Sequence, residues 1–132
     1  MECGNQPVFA DICLSDYNMD MSLMRQAFTR RTRVVIATHL YGYPMNVEKI
    51  RSYIGSQRIT IIEDCAQRIS GYSSGKIGLQ GDVAIYSLGR NKPMCTVRGG
   101  LVTTNSTDLY EKIKAVRNRM FNQCSNKTLA KH

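Results

Sequence analysis

The sequence has no apolar run long enough to span a membrane, and its first residues lack the layout of a signal peptide. A transmembrane helix needs roughly 20 consecutive apolar residues, and no stretch of the 132 residues approaches that length. The start, Met1-Glu2-Cys3-Gly4-Asn5, does not place basic residues before an apolar segment. We therefore expect a globular protein of the cytoplasm without a membrane partner.

Cysteine pairs with metal-binding spacing are also missing. The five cysteines are scattered along the chain, and none is followed by another at the spacing Cys-x-x-Cys. An odd number of cysteines without such spacing supports neither a zinc site nor a disulfide framework. We expect reduced thiols and no bound metal.

Acidic residues are few, because 10 Asp and Glu stand against 18 Lys and Arg and give a formal net charge of +8. Such an excess is compatible with binding nucleic acid or phosphorylated ligands. Two groups of basic residues stand out, Arg30-Arg31-Thr32-Arg33 in a short connection and Lys112, Lys114, Arg117 and Arg119 along one predicted helix, and neither has aromatic residues between its members. Solvated surface charge is the favoured interpretation. A non-catalytic basic domain that binds phosphorylated ligands or nucleic acid remains an alternative.

Apolar residues follow a repeating pattern of strands and helices. A strand-like run at 8–12 precedes a helix with Asp20 as its N-cap, and the β-branched run 33–40 is typical of a strand covered on both faces. Asn46 can cap a second helix, and the strand 59–62 follows. This alternation predicts an α/β fold whose parallel strands are joined by right-handed crossovers.

Two more strands complete the predicted sheet, at 83–87 and 100–104. The connection between them carries no helical pattern and is too short for a helical crossover, so the second strand is predicted to run antiparallel. A closing helix is expected from Ser106 or Thr107 to about Phe121. Its acidic residues come early and its basic residues late, an order that the helix dipole favours.

Four polar side chains lie at or just beyond the ends of two consecutive predicted strands. Asp64 and Gln67 follow the first of these strands, and Ser87 and Lys92 end or follow the second. Open α/β sheets bind ligands at the carboxyl ends of their strands. Pyridoxal phosphate (PLP) needs a lysine for its Schiff base, an anion beside the pyridine nitrogen and donors for its phosphate. Lys92, Asp64 and Ser87 are candidates for these roles, and Gln67 is a candidate partner of the ring's phenolic oxygen.

Three other features have competing interpretations. The segment 75–81, Gly-Lys-Ile-Gly-Leu-Gln-Gly, loosely resembles a phosphate loop, but it lacks the Gly-Lys-Ser/Thr ending and precedes a strand, which favours a turn. His39 could act as a general base, yet no acidic partner is evident in the sequence, so a structural role is favoured. Tyr41 and Tyr43 either line a sugar site or pack at the rim of the sheet.

Several segments together carry a family resemblance. They are Pro7-Val8-Phe9-Ala10-Asp11, Tyr17-Asn18-Met19-Asp20, His39-Leu40-Tyr41-Gly42, Glu63-Asp64-Cys65-Ala66-Gln67, Gly81-Asp82-Val83 and Lys92. From Pro7 to about Phe121 the chain resembles the DegT/DnrJ/StrS type of sugar aminotransferase, a branch of the fold-type-I PLP-dependent enzymes.

The resemblance implies a role for each of the four candidate residues. Asp64 would pair with the pyridine nitrogen, Gln67 would lie beside the phenolic oxygen, and Ser87 would bind the phosphate. Lys92 would hold the cofactor as a Schiff base and shuttle protons. Members with histidine at the lysine position are dehydratases, so Lys92 favours transamination, and a PLP-dependent sugar dehydratase of the same fold is a further alternative.

The implied activity is transfer of an amino group from a donor such as glutamate to a keto-sugar nucleotide, for polysaccharide, lipopolysaccharide or antibiotic sugars. The implied protein is a cytoplasmic homodimer. Its fold would be a three-layer α/β/α large domain with a mostly parallel sheet and one antiparallel strand, in which 83–87 lies between 59–62 and 101–104. Residues 1–132 would form a single incomplete large domain, without the family's amino-terminal phosphate-loop segment and carboxyl-terminal small domain. We therefore expect the isolated chain to be inactive.

Overall fold

A four-stranded sheet organises the fold. The structure is a computed structural model that describes residues 4–68 and 76–129. The strands are β1 (Val34–Thr38), β2 (Thr60–Asp64), β3 (Val83–Ser87) and β4 (Gly100–Thr103). Their spatial order is β1-β2-β3-β4, β1 and β3 both run parallel to β2, and one pair is antiparallel. The predicted α/β class, the mostly parallel sheet and the antiparallel strand are confirmed.

Two short helices begin at the predicted capping residues. The carboxylate of Asp20 accepts the backbone N–H groups of Ser22 and Leu23 at the start of α1 (Met21–Ala27). Asn46 caps α2 (Val47–Ile54) in the same way, by accepting the N–H of Lys49. These side chains satisfy donors that a helix start otherwise leaves unpaired, so both helices have a defined first residue.

The chain divides into two compact units, Met1–Val102 and Thr103–His132. The second unit contains α3 (Thr107–Leu129), whose start agrees with the prediction because the Ser106 hydroxyl accepts the N–H of Leu109. The helix continues beyond Phe121 to Leu129, so the predicted end is wrong. Polar residues past the apolar stripe do not by themselves stop a helix, since residues 122–129 contain neither glycine nor proline, the two residues with the largest cost in a helix.

The core of the Met1–Val102 unit lies on one face of the sheet. It combines strand residues with residues of α1 and α2, namely Met24, Val35, Ala37, Met45, Val47, Ile50, Ile54, Ile59 and Ile61. On the opposite face of β1, Val34 and Ile36 are 45% and 56% exposed. The expectation that β1 is covered on both faces is therefore wrong. A continuous apolar run shows that both faces are apolar, not that both are covered.

The predicted strand at 8–12 does not form. Its residues have no strand conformation apart from an isolated antiparallel bridge between Ile12 and Met19, and Val8 and Phe9 are 72% and 89% exposed. A strand requires a neighbour for its backbone hydrogen bonds. Within the described ranges, no second strand lies beside this segment.

The predicted Gly- and Ser-rich loop after Asp64 falls largely on residues 69–75, which lie outside the described residues. Among the helices that are described, none is long and apolar enough to cross a membrane.

Candidate functional site

The predicted site residues lie at the carboxyl ends of parallel strands. Asp64 is the last residue of β2 and Ser87 is the last residue of β3, and these two strands are neighbours. Gln67 and Lys92 lie in the connections that follow the two strands. All four residues belong to the Met1–Val102 unit.

An open cleft of about 500 Å³, called here the Lys92 cleft, contains two of the four. The described residues that line it are Tyr41, Gln67, Asn91, Lys92 and Pro93. Lys92 is half-buried and forms no ion pair with any residue of the described ranges. Asp64 and Ser87 are not among the lining residues. The amine and the amide thus share one cavity, while the carboxylate and the hydroxyl end the adjacent strands.

The orientation of the Gln67 amide is fixed by Tyr41. The backbone N–H of Tyr41 donates to Oε1 of Gln67 at 2.8 Å. Since this oxygen must be the acceptor, the amide NH₂ group is the end that remains to donate. It makes no hydrogen bond to another residue of segments 4–68 and 76–129. Gln67 therefore offers a donor of the kind that a phenolic oxygen accepts.

Asp64 and Ser87 also retain hydrogen-bonding capacity. Oδ1 of Asp64 accepts the N–H of Ala66 at 2.9 Å, and its Oδ2 has no partner among the described residues. The Ser87 hydroxyl oxygen accepts the N–H of Gly89 at 3.3 Å, which leaves its own hydrogen to donate. A carboxylate oxygen suits a protonated ring nitrogen and a hydroxyl donor suits phosphate, so the donor set fits PLP.

Two residues that line the Lys92 cleft have a left-handed backbone. Tyr41 has φ = 50° and Asn91 has φ = 63°. Asparagine tolerates this region, but a residue as large as tyrosine adopts it rarely and at some energetic cost. Such strain is retained where surrounding contacts fix the backbone, and it is frequent at ligand sites. The sequence alone leaves the role of Tyr41 open and does not single out Asn91.

A buried pair is formed by His39, two residues before Tyr41, and Glu63, the residue before Asp64. Both side chains are fully buried, and Nε2 of His39 lies 3.0 Å from Oε2 of Glu63. The N–H of Met45 donates to Nδ1 of His39 at 3.0 Å. Because Nδ1 is an acceptor, Nε2 carries the hydrogen and donates to Glu63. His39 is therefore a neutral, fully hydrogen-bonded side chain, as its structural interpretation predicts, and its acidic partner is Glu63.

Glu63 also accepts three backbone N–H groups from the loop before β3. Gly78 donates to Oε2 at 2.7 Å, Gln80 donates to Oε1 at 2.8 Å, and Gly81 donates to Oε1 as well. Burial alone raises the pKa of Glu63, but the hydrogen bonds from His39 and this loop outweigh burial, so that the pKa lies below its ordinary value.

The N–H groups of this loop explain its resemblance to a phosphate loop. Successive backbone N–H groups form a concave anion site, and here the anion is the carboxylate of Glu63. Gly75, where the predicted segment begins, lies outside the described residues. Over 76–81 the structure agrees with the favoured interpretation of a turn. The backbone N–H groups that could bind a phosphate already donate to Glu63.

Cys65 lies close to the pair, and the potential ligand atoms of His39, Glu63 and Cys65 are within 4.8 Å of one another. Their chemistry does not favour a cation. Burial and the charge of Glu63 raise the pKa of the Cys65 thiol to about 12, so that it stays protonated. The carboxylate is surrounded by N–H donors, and both ring nitrogens of His39 are used. The cluster is a hydrogen-bonded network.

One signal in the sequence could have revealed Glu63. Side chains alternate between the faces of a strand, so Glu63 shares a face with Ile61, and both are fully buried. A charged residue on a buried strand face requires a partner. That signal does not identify His39, which is 24 residues away in the sequence.

Comparison with known proteins gives consistent matches. The sequence matches the DegT/DnrJ/EryC1/StrS aminotransferase family over residues 1–132. It is 34% identical to GDP-perosamine synthase of Escherichia coli O157:H7 over 110 residues, which are 83% of this chain and 30% of that protein. The chain thus spans less than a third of the length of this relative.

Solved structures show the same relationship. One is Helicobacter pylori PseC, an aminotransferase involved in the biosynthesis of pseudoaminic acid. It matches with a TM-score of 0.78 and 29% identity over 86% of this chain and 30% of that chain. E. coli GDP-4-keto-6-deoxy-D-mannose-3-dehydratase with bound hydrated PLP matches with a TM-score of 0.69 and 26% identity, over 77% of this chain and 26% of that chain.

Proposed function

This chain belongs to the DegT/DnrJ/EryC1/StrS aminotransferase family, and we propose that it supplies the cofactor-binding part of a PLP-dependent aminotransferase of nucleotide sugars. The observation that carries the proposal is the Lys92 cleft, which Lys92 shares with Gln67. Asp64 and Ser87 end the adjacent strands with unused hydrogen-bonding groups. A lysine amine, an anion for the ring nitrogen and donors for the phosphate are the groups that PLP requires, and the amide adds a donor for its phenolic oxygen.

Each of the four side chains has a distinct task in this proposal. Bound PLP supplies an electron sink for the negative charge that develops when the amino group is moved. Asp64 accepts a hydrogen bond from the ring nitrogen and keeps it protonated. Gln67 donates to the phenolic oxygen and Ser87 to the phosphate. Lys92 would anchor the cofactor through Nζ, and its amine would be the group that moves the proton at the reacting carbon.

The proposed substrates follow from the relatives. The E. coli relative is named as a GDP-perosamine synthase, so we assign a keto-sugar nucleotide as amino acceptor and an amino acid such as glutamate as donor. In this reaction the keto group becomes an amine and the donor becomes a 2-oxo acid. Within the same proposal the complete enzyme is a homodimer of the cytoplasm.

The product distinguishes the aminotransferase from the dehydratase alternative. The complete gene product is incubated with PLP, glutamate and a nucleotide-linked 4-keto sugar, and the sugar is analysed by mass spectrometry. Transamination predicts an amino sugar and an equal amount of 2-oxoglutarate. A sugar that has lost a hydroxyl group without gaining nitrogen would show that the enzyme is a dehydratase.

Asp64 offers a second test, because it should matter more for turnover than for binding. Asp64→Asn should lower turnover by roughly 100-fold or more, since preorganised charge acts mainly on the transition state. Its affinity for PLP should fall less, by about tenfold, because the amide oxygen of asparagine still accepts a hydrogen bond although the charge is lost. Asp108→Asn, at an exposed site in α3, is the matched control. Equal losses of affinity and turnover would contradict the assignment.

The basic-domain alternative receives less support from the structure. In α3, Lys112 pairs with Asp108 at 2.6 Å and Lys114 pairs with Glu111 at 3.8 Å. These exposed pairs neutralise part of the basic face that a polyanion would have to contact. A titration with an oligonucleotide across a salt series would favour this alternative if binding is steeply salt-dependent and PLP does not bind.

A further inference from the structure

The buried pair of His39 and Glu63 joins three segments at one point. His39 begins the turn 39–45 after β1, Glu63 lies near the end of β2, and the carboxylate of Glu63 holds the loop 78–81 through three backbone N–H groups. The side chains of His39 and Glu63, which form their mutual hydrogen bond and the bonds to this loop, are fully buried. The relative placement of the three segments therefore depends on this pair.

The same segments carry the residues of the proposed site. Asp64 directly follows Glu63, and its backbone carbonyl accepts the N–H of His39 at 3.1 Å. Tyr41 lies two residues beyond His39 and donates its N–H to Gln67. A shift of the turn after His39 would break this bond and release the Gln67 amide from its fixed orientation.

We propose that Glu63 and His39 are positioning residues, which hold the hydrogen bond from Tyr41 to Gln67 and the Asp64 carboxylate in the geometry that receives the cofactor. The inference rests on the proposed function for its cofactor part. The hydrogen bond from the N–H of Tyr41 to Gln67 is present without any ligand, so this part of the inference does not depend on the proposed function. Neither Glu63 nor His39 needs to touch the cofactor for this role.

Amide hydrogen exchange resolved by NMR tests the proposal without a ligand. The N–H of Tyr41 reports on its bond to Gln67, and the N–H of Thr60, which donates to Arg33 O at 2.9 Å at the far end of the β1–β2 pair, reports on the sheet. Glu63→Gln removes the charge with little change in size. We expect exchange at Tyr41 to accelerate about tenfold more than exchange at Thr60, because Tyr41 loses a hydrogen bond in addition to the stability that the whole fold loses.

His39 provides a conservative rescue. A neutral His39 accepts from Met45 and donates to Glu63, and His39→Gln retains one acceptor and one donor on a side chain of similar reach. His39→Leu has neither. We expect His39→Leu to behave like Glu63→Gln and His39→Gln to stay close to the wild type. Glu111→Gln, which removes an exposed charge from α3, is the control for charge alone.

The same variants of the complete gene product are then titrated with PLP. Glu63→Gln and His39→Leu should bind about tenfold more weakly than His39→Gln and Glu111→Gln. Equal acceleration of the Tyr41 and Thr60 amides would show that the pair only stabilises the fold, and would overturn the proposal. Unchanged exchange at Tyr41 would overturn it too, because the pair would then not hold the bond from Tyr41 to Gln67. If the wild type binds no PLP while the exchange pattern appears, the proposed function fails and the positioning of Gln67 stands.

Discussion

Replacing Gly78 by alanine should destabilise the Met1–Val102 unit by about 3 kcal/mol. Gly78 has φ = +78°, and a Cβ atom there would overlap the Tyr86 hydroxyl and lie 3.0 Å from Cζ of the same ring. The left-handed backbone costs alanine about 1 kcal/mol. Displacing a packed aromatic ring costs a further 1–3 kcal/mol or so.

Urea unfolding followed by circular dichroism measures this difference. Gly55→Ala is a control for backbone strain alone, because Gly55 has φ = +57° and ψ = −128°, a conformation that disfavours alanine, but a Cβ there meets nothing within 4 Å. The control therefore carries backbone strain without a clash. Tyr86→Phe removes the hydroxyl, so Gly78→Ala should cost at least about 1 kcal/mol less in that background, as a double-mutant cycle would show.

Two results would refute this reasoning. The first is a loss of stability in Gly78→Ala of only about 1 kcal/mol, the cost of the left-handed backbone without a clash. The second is an equal cost of Gly78→Ala with tyrosine and with phenylalanine at position 86. Either result would mean that the loop accommodates the added methyl group by moving, and that its contact with Tyr86 does not fix its position.

Three further predictions follow from single contacts. Asn46→Ala should lower the free energy of unfolding by about 1 kcal/mol in urea titrations because α2 loses its cap, whereas Asn46→Asp should not. Cys65, with a thiol pKa raised by burial to about 12, should resist iodoacetamide at about pH 8 while exposed Cys95 reacts; comparable rates would contradict this. Burial raises the pKa of Glu63, but its hydrogen bonds hold that pKa below the ordinary 4.5. Ionised Glu63 therefore stabilises the fold above about pH 4.5, and the stabilisation is lost on further acidification, so Glu63→Gln should lose less stability there.

Local signals in the sequence were sufficient for most of the fold. The caps Asp20 and Asn46 act on N–H groups two or three residues away, so a short stretch of sequence contains the whole interaction. The strand order and the antiparallel strand were predicted from the lengths of the connections and the family resemblance. These features do not depend on distant side chains.

Interactions between distant segments could not be predicted in the same way. The run 8–12 has the composition of a strand, but composition does not supply the neighbour that a strand needs, and only the bridge from Ile12 to Met19 forms. The bond between His39 and Glu63 joins residues 24 positions apart. Their partnership becomes apparent only when β1 and β2 lie side by side, with Ala37 opposite Glu63.

The identity of the cofactor-bearing lysine is the central claim, and chemical trapping tests it most directly. The complete gene product is loaded with PLP, reduced with borohydride to fix the cofactor to its lysine, and digested for peptide mass spectrometry. The label is predicted on Lys92, and the control Lys76, whose side chain is 71% exposed, should carry none. Lys92→Ala should lose both the label and the visible absorbance of the bound cofactor. A label on another lysine, or unchanged absorbance in Lys92→Ala, would contradict the account.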